Sequence, residues 1–303
     1  MGAQLRAVRQ RIRSIQSTAK ITRAQELIAS SRIIKAQQRV HEATPYARAL
    51  TEAVEAVVSK SAQIDHPLVR PPERAQRAAI LILTSDRGFC GGFNANVLRE
   101  AQGLRNTLAE RGLATETFVA GRKGLGWHRF REIELAGEWT GFSDSPRHEN
   151  AREITTALLA AFERPADEGG VDEIHLVRTE FVSMLSQRPA ANRILPLEIV
   201  EVEDESAGGP IPLYDFEPSE QDVLNDLLPW YVESRIYHAL LESAAAEIAA
   251  RRRAMKSATD NANDLLNQLT REANKARQAE ITQEISEIVG GANALAEAIA
   301  GSE

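Results

Sequence analysis

Glycine is almost absent from both ends of this 303-residue chain. None lies between Gly2 and Gly88 or between Gly209 and Gly290, so 14 of the 18 glycines fall in the middle. Glycine inside a helix costs about 0.8–1.0 kcal/mol relative to alanine, and the ends are rich in Ala, Gln, Glu, Arg and Leu. The composition therefore predicts two long helical arms around a globular insert. Cysteine is nearly absent too: Cys90 stands alone. That excludes an intramolecular disulfide and a multi-cysteine metal site, and it fits a reducing interior. No run approaches the ~20 apolar residues of a membrane span, and no short apolar segment with a small-residue cleavage site lies near the start. Neither membrane insertion nor a cleaved signal is expected.

Motifs for catalysis are also missing. There is no G-x-x-x-x-G-K-[ST] and no G-x-S-x-G, and Cys90 has no placed base. His41, His66, His128, His148, His175 and His238 show neither an i,i+4 pair nor zinc spacing. No catalytic residue, cofactor or metal is expected. Residues 1–40 carry nine Lys/Arg against Glu26 alone, on a chain of net charge -7. This basic stripe lacks the interleaved aromatics of a nucleic-acid binder, and aromatics make up only 5% of the chain. Its apolar pattern runs unbroken into the first arm, which argues against a transit peptide.

In that arm Leu5, Val8, Ile12, Ile15 and Ala19 are spaced 3-4-3-4 and share one helical stripe. Beyond Ala19 the seam is expected to drift to Leu27, Ile28, Ile34 and Val40. Pro45 removes a backbone donor, which predicts a kink or interruption. Pro67 and Pro71-Pro72 mark a linker. In the last arm Ser219 and Asp222 have capping-box spacing, and Pro229 should bend the first turns. Stepping by seven from Leu241 gives the apolar set Leu241, Ile248, Met255, Ala262, Leu269 and Ala276. The offset-by-three companions are Ala244, Arg251, Ala258, Leu265, Glu272 and Ala279, a mixed set. An alanine-rich seam needs a partner with larger side chains, and the first arm supplies one.

The middle changes period. Ala78 to Leu83 is a continuous apolar run, as in a strand buried on both faces, followed by a glycine-rich turn and a helix from Asn94 to about Arg111. Thr115–Ala120, Glu132–Trp139 and Asp172–Thr179 read as further strands and Arg147–Phe162 as a helix, giving an open α/β sheet. The turn Ser85 to Asn94 sits where a phosphate could meet a helix N-terminus, but its glycines do not follow G-x-G-x-x-G. A structural tight turn is the favoured reading, with a ligand loop as the alternative. Gly121 to Gly126 is a second, basic turn. Arg164 to Gly170 is a polar turn, and the acidic stretch 198–205 with Gly208-Gly209-Pro210 closes the domain. The expected organisation is an N-terminal coiled-coil helix over 1–60, a linker over 61–75, an α/β domain over 76–212 and a C-terminal helix with its tip over 213–303.

Arms that join one insert on the same side must run antiparallel, and they are unequal. The first pairs over about 55 residues, ~80 Å of helix, so the second projects beyond about residue 274 by another ~20 Å. On that tip Ile281, Ile285, Ile288 and Val289 fall at 3/4 spacing with nothing of their own chain to pack on. Such a face either docks back on its own arm or is held inside a partner, since unpartnered apolar patches mark interaction sites.

The sequence resembles the gamma subunit family of F-type ATP synthases over nearly its whole length. The resemblance rests on Ile12-Arg13-Ser14-Ile15 through Lys20-Ile21-Thr22-Arg23-Ala24, on Thr84 through Gly92, on Tyr231-Val232-Glu233-Ser234 and Met255 through Asn261, and on Asn274 through Ile285. It implies a central rotor stalk. Two antiparallel coiled-coil helices would thread the F1 ring of alpha and beta subunits, and a Rossmann-like α/β domain would sit at the foot beside epsilon and the membrane c-ring. The resemblance implies no nucleotide site on this chain. It places Arg251, Arg277, Gln278, Thr282 and Glu284 against the beta-subunit catch loops, and Ile281 to Val289 inside the ring's collar. It further implies a peripheral protein on the cytoplasmic side of the cell membrane. Where relatives often carry Met, Gln25 stands here, and Arg32 replaces a common Lys. The Arg164–Gly170 turn and the tail past Asn293 resemble actinobacterial-type variation. Two other classes remain to be separated: a coiled-coil scaffold or tether, and a dinucleotide enzyme using Gly88 to Gly92.

Overall fold

The computed structural model describes residues 2–60, 75–197 and 220–300. The proline linker, the acidic stretch with Gly208-Gly209-Pro210 and the Ser219 cap lie outside the described residues. The elements are α1 (Gly2–Lys60), β1 (Arg77–Leu83), α2 (Phe93–Glu110), β2 (Ala114–Ala120), α3 (Arg122–Phe130), β3 (Gly137–Trp139), α4 (His148–Glu163), β4 (Glu173–Phe181), β5 (Gln187–Leu195) and α5 (Glu220–Ala300). The chain divides into two compact units, one made of Met1–Ile28 with Ala254–Glu303 and the other of Ala29–Arg253.

The larger unit holds the sheet, in the order β3-β2-β1-β4-β5. β1 pairs in parallel with β2 and β4, β2 in parallel with β3, and β5 runs antiparallel along the edge of β4. Central β1 is apolar from Ala78 to Leu83 because both faces are covered there. Ala79, Leu81 and Leu83 join the core with Ile154, Leu158, Leu224 and Leu228, while Ala78, Ile80 and Ile82 join Val97, Leu98 and Leu108. Each fully buried Ile or Leu contributes about 1.5–3 kcal/mol by leaving water. β5 escapes period-based reading because it is an edge strand with mixed polarity. Its Pro189, which cannot donate to a ladder, is tolerated for that reason.

Three local expectations are corrected here. The stretch from Glu132 forms only the short β3, because Glu132 itself takes φ 56 at the turn after α3. The basic turn Gly121 to Gly126 is the start of helix α3, with Gly121 as its N-cap. Pro45 does not interrupt α1, which is a single helix through it, and α5 likewise contains Pro229. Around Pro45 the helix is supported laterally: Ile33 and Ala36 pack with Ala245 and Ile248, and Val54 and Val57 join the core containing Leu224 and Leu228. Tertiary packing outweighs one lost backbone bond.

In the smaller unit the buried or half-buried stripe of α1 is Leu5, Val8, Ile12, Ile15, Ala19, Thr22 and Glu26. In the larger unit the same spacing holds at Ala29, Ile33, Ala36 and Val40. The expected drift is thus corrected: Leu27, Ile28 and Ile34 are exposed. The true stripe carries small and polar residues that an eye for large aliphatics passes over. On α5 the set stepping by seven is confirmed by buried Met255, Ala262 and Leu269. Its companions are offset by four, as Thr259, Leu266 and Ala273, whereas Leu265 is 40% exposed.

Candidate functional site

In the smaller unit, α5 changes character along its length. From Met255 to Ala276 one residue in every three or four is buried or half-buried, whereas residues 281–293 are exposed at every position. Ile281, Ile285, Ile288 and Val289 are 45, 55, 71 and 53% exposed. At about 100° per residue they fall within a stripe roughly 100° wide. Arg277 and Glu284 lie along one margin of that stripe and Thr282 along the other, with Gln278 just inside the Thr282 side. The result is an apolar band with a polar border on each side, which is how interfaces are commonly built. The Thr282 hydroxyl donates to the Gln278 carbonyl at 2.9 Å, and Ser286 donates to that of Thr282 at 2.9 Å. These hydroxyls bond their own helix, which leaves the charged and amide side chains of Arg277, Gln278 and Glu284 outward.

Arg251 sits in the larger unit with a different set of partners. Its guanidinium donates to the carbonyls of Gly88 at 3.3 Å and Arg87 at 3.1 Å, and to Glu247 at 2.7 Å. It is 12% exposed at the side chain. In the structure the Arg251 guanidinium holds the glycine-rich turn, whereas Arg277, Gln278, Thr282 and Glu284 are exposed. Sequence reasoning had no signal for this, because the partners are backbone carbonyls 163 and 164 residues away.

That turn is organised by its own donors and acceptors. Asn94 accepts from the Ser85 amide at 2.9 Å, and the Ser143 hydroxyl accepts from the Asp86 amide at 2.8 Å. The Asp86 carboxylate gathers the amides of Gly141, Ser143 and Arg122 at 2.8, 3.0 and 3.1 Å. Burial works against its charge, but these three donors and the Arg122 guanidinium outweigh it and hold the pKa below the ordinary 3.8. The opposite holds for Glu247, which is 1% exposed. Burial pushes its carboxyl upward against the pull of Arg251 and the Ser143 hydroxyl, and nearby Asp144 adds to the rise.

Close packing explains two glycines here. A Cβ on Gly121, whose φ is +106, would sit 2.2 Å from the Thr84 carbonyl oxygen, and one on Gly124 would meet the Thr84 hydroxyl at 2.7 Å. The Thr84 hydroxyl in turn accepts from the Gly124 amide at 2.9 Å. A phosphate loop aims amides outward. Here the amides of Ser85 and Asp86 are spent on side chains, and the carbonyls of Arg87 and Gly88 face a guanidinium. Among the described residues no three His, Cys, Asp or Glu side chains are grouped as a metal site requires, and no helix is long and apolar enough to cross a membrane.

The family described as ATP synthase matches residues 4–295 of this chain. The chain is 60% identical to the ATP synthase gamma chain of Acidothermus cellulolyticus, over 97% of its own length and 98% of that protein. It is 56% identical to the ATP synthase gamma chain of Thermobifida fusca, with all of both chains covered. Its fold matches a chain in the cryo-EM structure of the Euglena gracilis mitochondrial ATP synthase rotor with a TM-score of 0.66, covering 93% of this chain and 100% of that one at 16% identity. By full-length identity this chain belongs to the ATP synthase gamma chain family.

Proposed function

We propose that this chain is the central-stalk rotor subunit of a proton-translocating ATP synthase. It couples rotation of a membrane c-ring to conformational change at catalytic sites carried by a surrounding ring of alpha and beta subunits. The observation that carries this reading is the exposed end of α5, an apolar band with a polar border on a helix whose earlier turns are packed. A shaft needs such an end, since the surface that turns against other subunits must stay uncovered by its own chain. Arg277, Gln278, Thr282 and Glu284 would engage the beta catch loops, and Ile281, Ile285, Ile288 and Val289 would run in the collar. Arg251 would act through the turn it holds.

On this reading the chain has no catalytic site of its own. The domain of residues 76–212 would be the foot, meeting epsilon and the c-ring, with segment 1–60, the linker 61–75 and segment 213–303 joined to it. The protein would be peripheral, on the cytoplasmic side of the cell membrane. A coiled-coil scaffold is less well supported, because full-length identity to gamma chains extends through the sheet domain as well as the helices. A dinucleotide enzyme is less well supported, because the amides of Ser85 and Asp86 bond side chains and the carbonyls of Arg87 and Gly88 face Arg251. The test is reconstitution of the chain with alpha, beta, epsilon and the membrane sector in vesicles. Proton-driven ATP synthesis that requires the chain is the expected result, and synthesis indifferent to its omission would overturn the reading.

A further inference from the structure

One cleft of the larger unit has no part in the proposed rotor contact. It lies where α1 and α5 pass over the β4–β5 edge, and it encloses about 310 Å³. Two helical stripes of the same spacing form its walls: Thr44, Ala47, Arg48 and Thr51 on α1, and Arg235, His238, Ala239 and Glu242 on α5. On either side the two helices fill their seam with Ile33 and Ile248 or with Val54, Val57 and Leu228. At the cleft the stripes carry alanine, threonine and long cations instead, which keeps the space open and lines it with charge.

Four guanidinium groups, Arg48, Arg178, Arg193 and Arg235, face this space with one carboxylate, Glu242. The pairing is uneven. Arg178 is committed: its Nε donates to Glu242 at 3.0 Å and its Nη atoms to Asn192 at 2.7 Å and Glu180 at 3.2 Å. Glu242 is thereby spent. Among the described residues neither Arg48 nor Arg235 has a carboxylate within ion-pair distance, and both are exposed. Arg235 lies 6.0 Å over the Tyr231 ring. Two guanidinium forks with no carboxylate partner, one on each helical wall, make a site for a tetrahedral oxyanion, whose several acceptor oxygens match guanidinium geometry. The volume is near the lower end of small-ligand pockets, about 300–1,000 Å³, which favours a compact anion over a flat charged surface.

We propose that this cleft binds a small phosphate-bearing anion, held between Arg48 of α1 and Arg235 of α5. His238 lies within the same walls and reports on occupancy. Burial lowers its pKa, Glu242 raises it, and Arg178 and Arg235 lower it further. Arg48 and Arg193 face it from α1 and β5. A bound phosphate group offsets the arginines, so the His238 pKa rises.

Titration of the full-length chain with pyrophosphate by calorimetry, in chloride buffer, is the direct test. The expected result is saturable single-site binding, weakened at least tenfold in the double variant Arg48→Glu/Arg235→Glu and unchanged in Arg99→Glu, an exposed cation on α2. An upward shift of the His238 pKa on adding pyrophosphate, seen by NMR in the unsubstituted chain, supports the site independently of any variant. Absence of saturation at millimolar pyrophosphate would overturn the proposal, as would equal affinity in the double variant. Sedimentation with vesicles of anionic phospholipid separates the remaining source of phosphate: binding to vesicles without binding of free pyrophosphate would also overturn it.

Discussion

Thr22 and Thr259 join their hydroxyls at 2.8 Å in the smaller unit, each only 8% exposed. Each hydroxyl also has a backbone carbonyl one turn back, Ala19 at 3.1 Å for Thr22 and Met255 at 2.9 Å for Thr259, so either threonine can donate across the pair. A buried hydroxyl that loses its partner keeps its desolvation cost, whereas removing both partners together avoids that cost. Thr22→Val and Thr259→Val should each destabilise by about 1 kcal/mol, with the double variant costing less than their sum by a similar amount. Hydrogen exchange at residues 255–262, run as a double-mutant cycle, measures the coupling. Strict additivity would show that the hydroxyls act separately.

The seam of α5 makes a sharper comparison between adjacent residues. Leu266 is half-buried in register with Thr259 and Ala273, while Leu265 is 40% exposed. Leu266→Ala should cost about 1–2 kcal/mol and Leu265→Ala less than about 0.5 kcal/mol, read from chemical denaturation of the full chain. Equal costs would mean that the register offset by four is wrong.

These two leucines also show how far the sequence was legible. Exclusion of glycine announced both arms, and the continuous apolar run announced β1, because composition and period report helices and doubly covered strands directly. Register was less legible, since two leucines side by side give the same composition whichever faces inward. Thr22 and Glu26 were passed over because burial of a polar group depends on a partner far away in the chain. β5 was missed because an edge strand need not alternate cleanly. The exposed tip was readable from chain length and pairing, but Arg251's role as an anchor was not, because backbone carbonyls leave no trace in a motif.

Gly121 and Gly112 both have positive φ, yet substitution should affect them unequally. Alanine at Gly121 places a Cβ 2.2 Å from the Thr84 carbonyl, while alanine at Gly112, φ +82, meets nothing within 4 Å. Gly112→Ala should cost about 1 kcal/mol from backbone strain alone. Gly121→Ala adds displacement of the strand end and should cost about 3 kcal/mol or more. Thermal unfolding of the two variants gives the order, and parity between them would contradict the close approach.

Asp86 and Glu247 should shape the pH dependence of stability in opposite ways. The folded pKa of Asp86 is lowered, so the stability it contributes is complete above its unfolded value near 3.8 and drains away as pH falls through the folded value. The folded pKa of Glu247 is raised, so its contribution is complete below about 4.5 and is lost as pH rises through the folded value. Asp86→Asn should flatten the acid limb of a stability–pH curve, and Glu247→Gln should flatten the decline above about pH 4.5. Urea midpoints collected across that range distinguish the two. A Glu247→Gln curve parallel to the unsubstituted one would show that the carboxyl does not titrate differently on folding.

The proposed rotor contact predicts a separation between stability and coupling. Arg277, Gln278, Ile281 and Ile285 are exposed, so truncating them should change the stability of the free chain by less than about 0.5 kcal/mol. In the assembled complex the same groups would be covered. Arg277→Ala and Gln278→Ala should each lower ATP turnover several-fold, consistent with about 1 kcal/mol lost from a contact made during rotation. Ile281→Ala/Ile285→Ala should act on assembly instead, because an apolar band acts by being removed from water and has little directional preference. Turnover and subunit retention measured on the same reconstituted preparations keep the two effects apart. If the arginine and glutamine variants turn over normally while the isoleucine variants assemble normally, the exposed end of α5 is not the coupling surface.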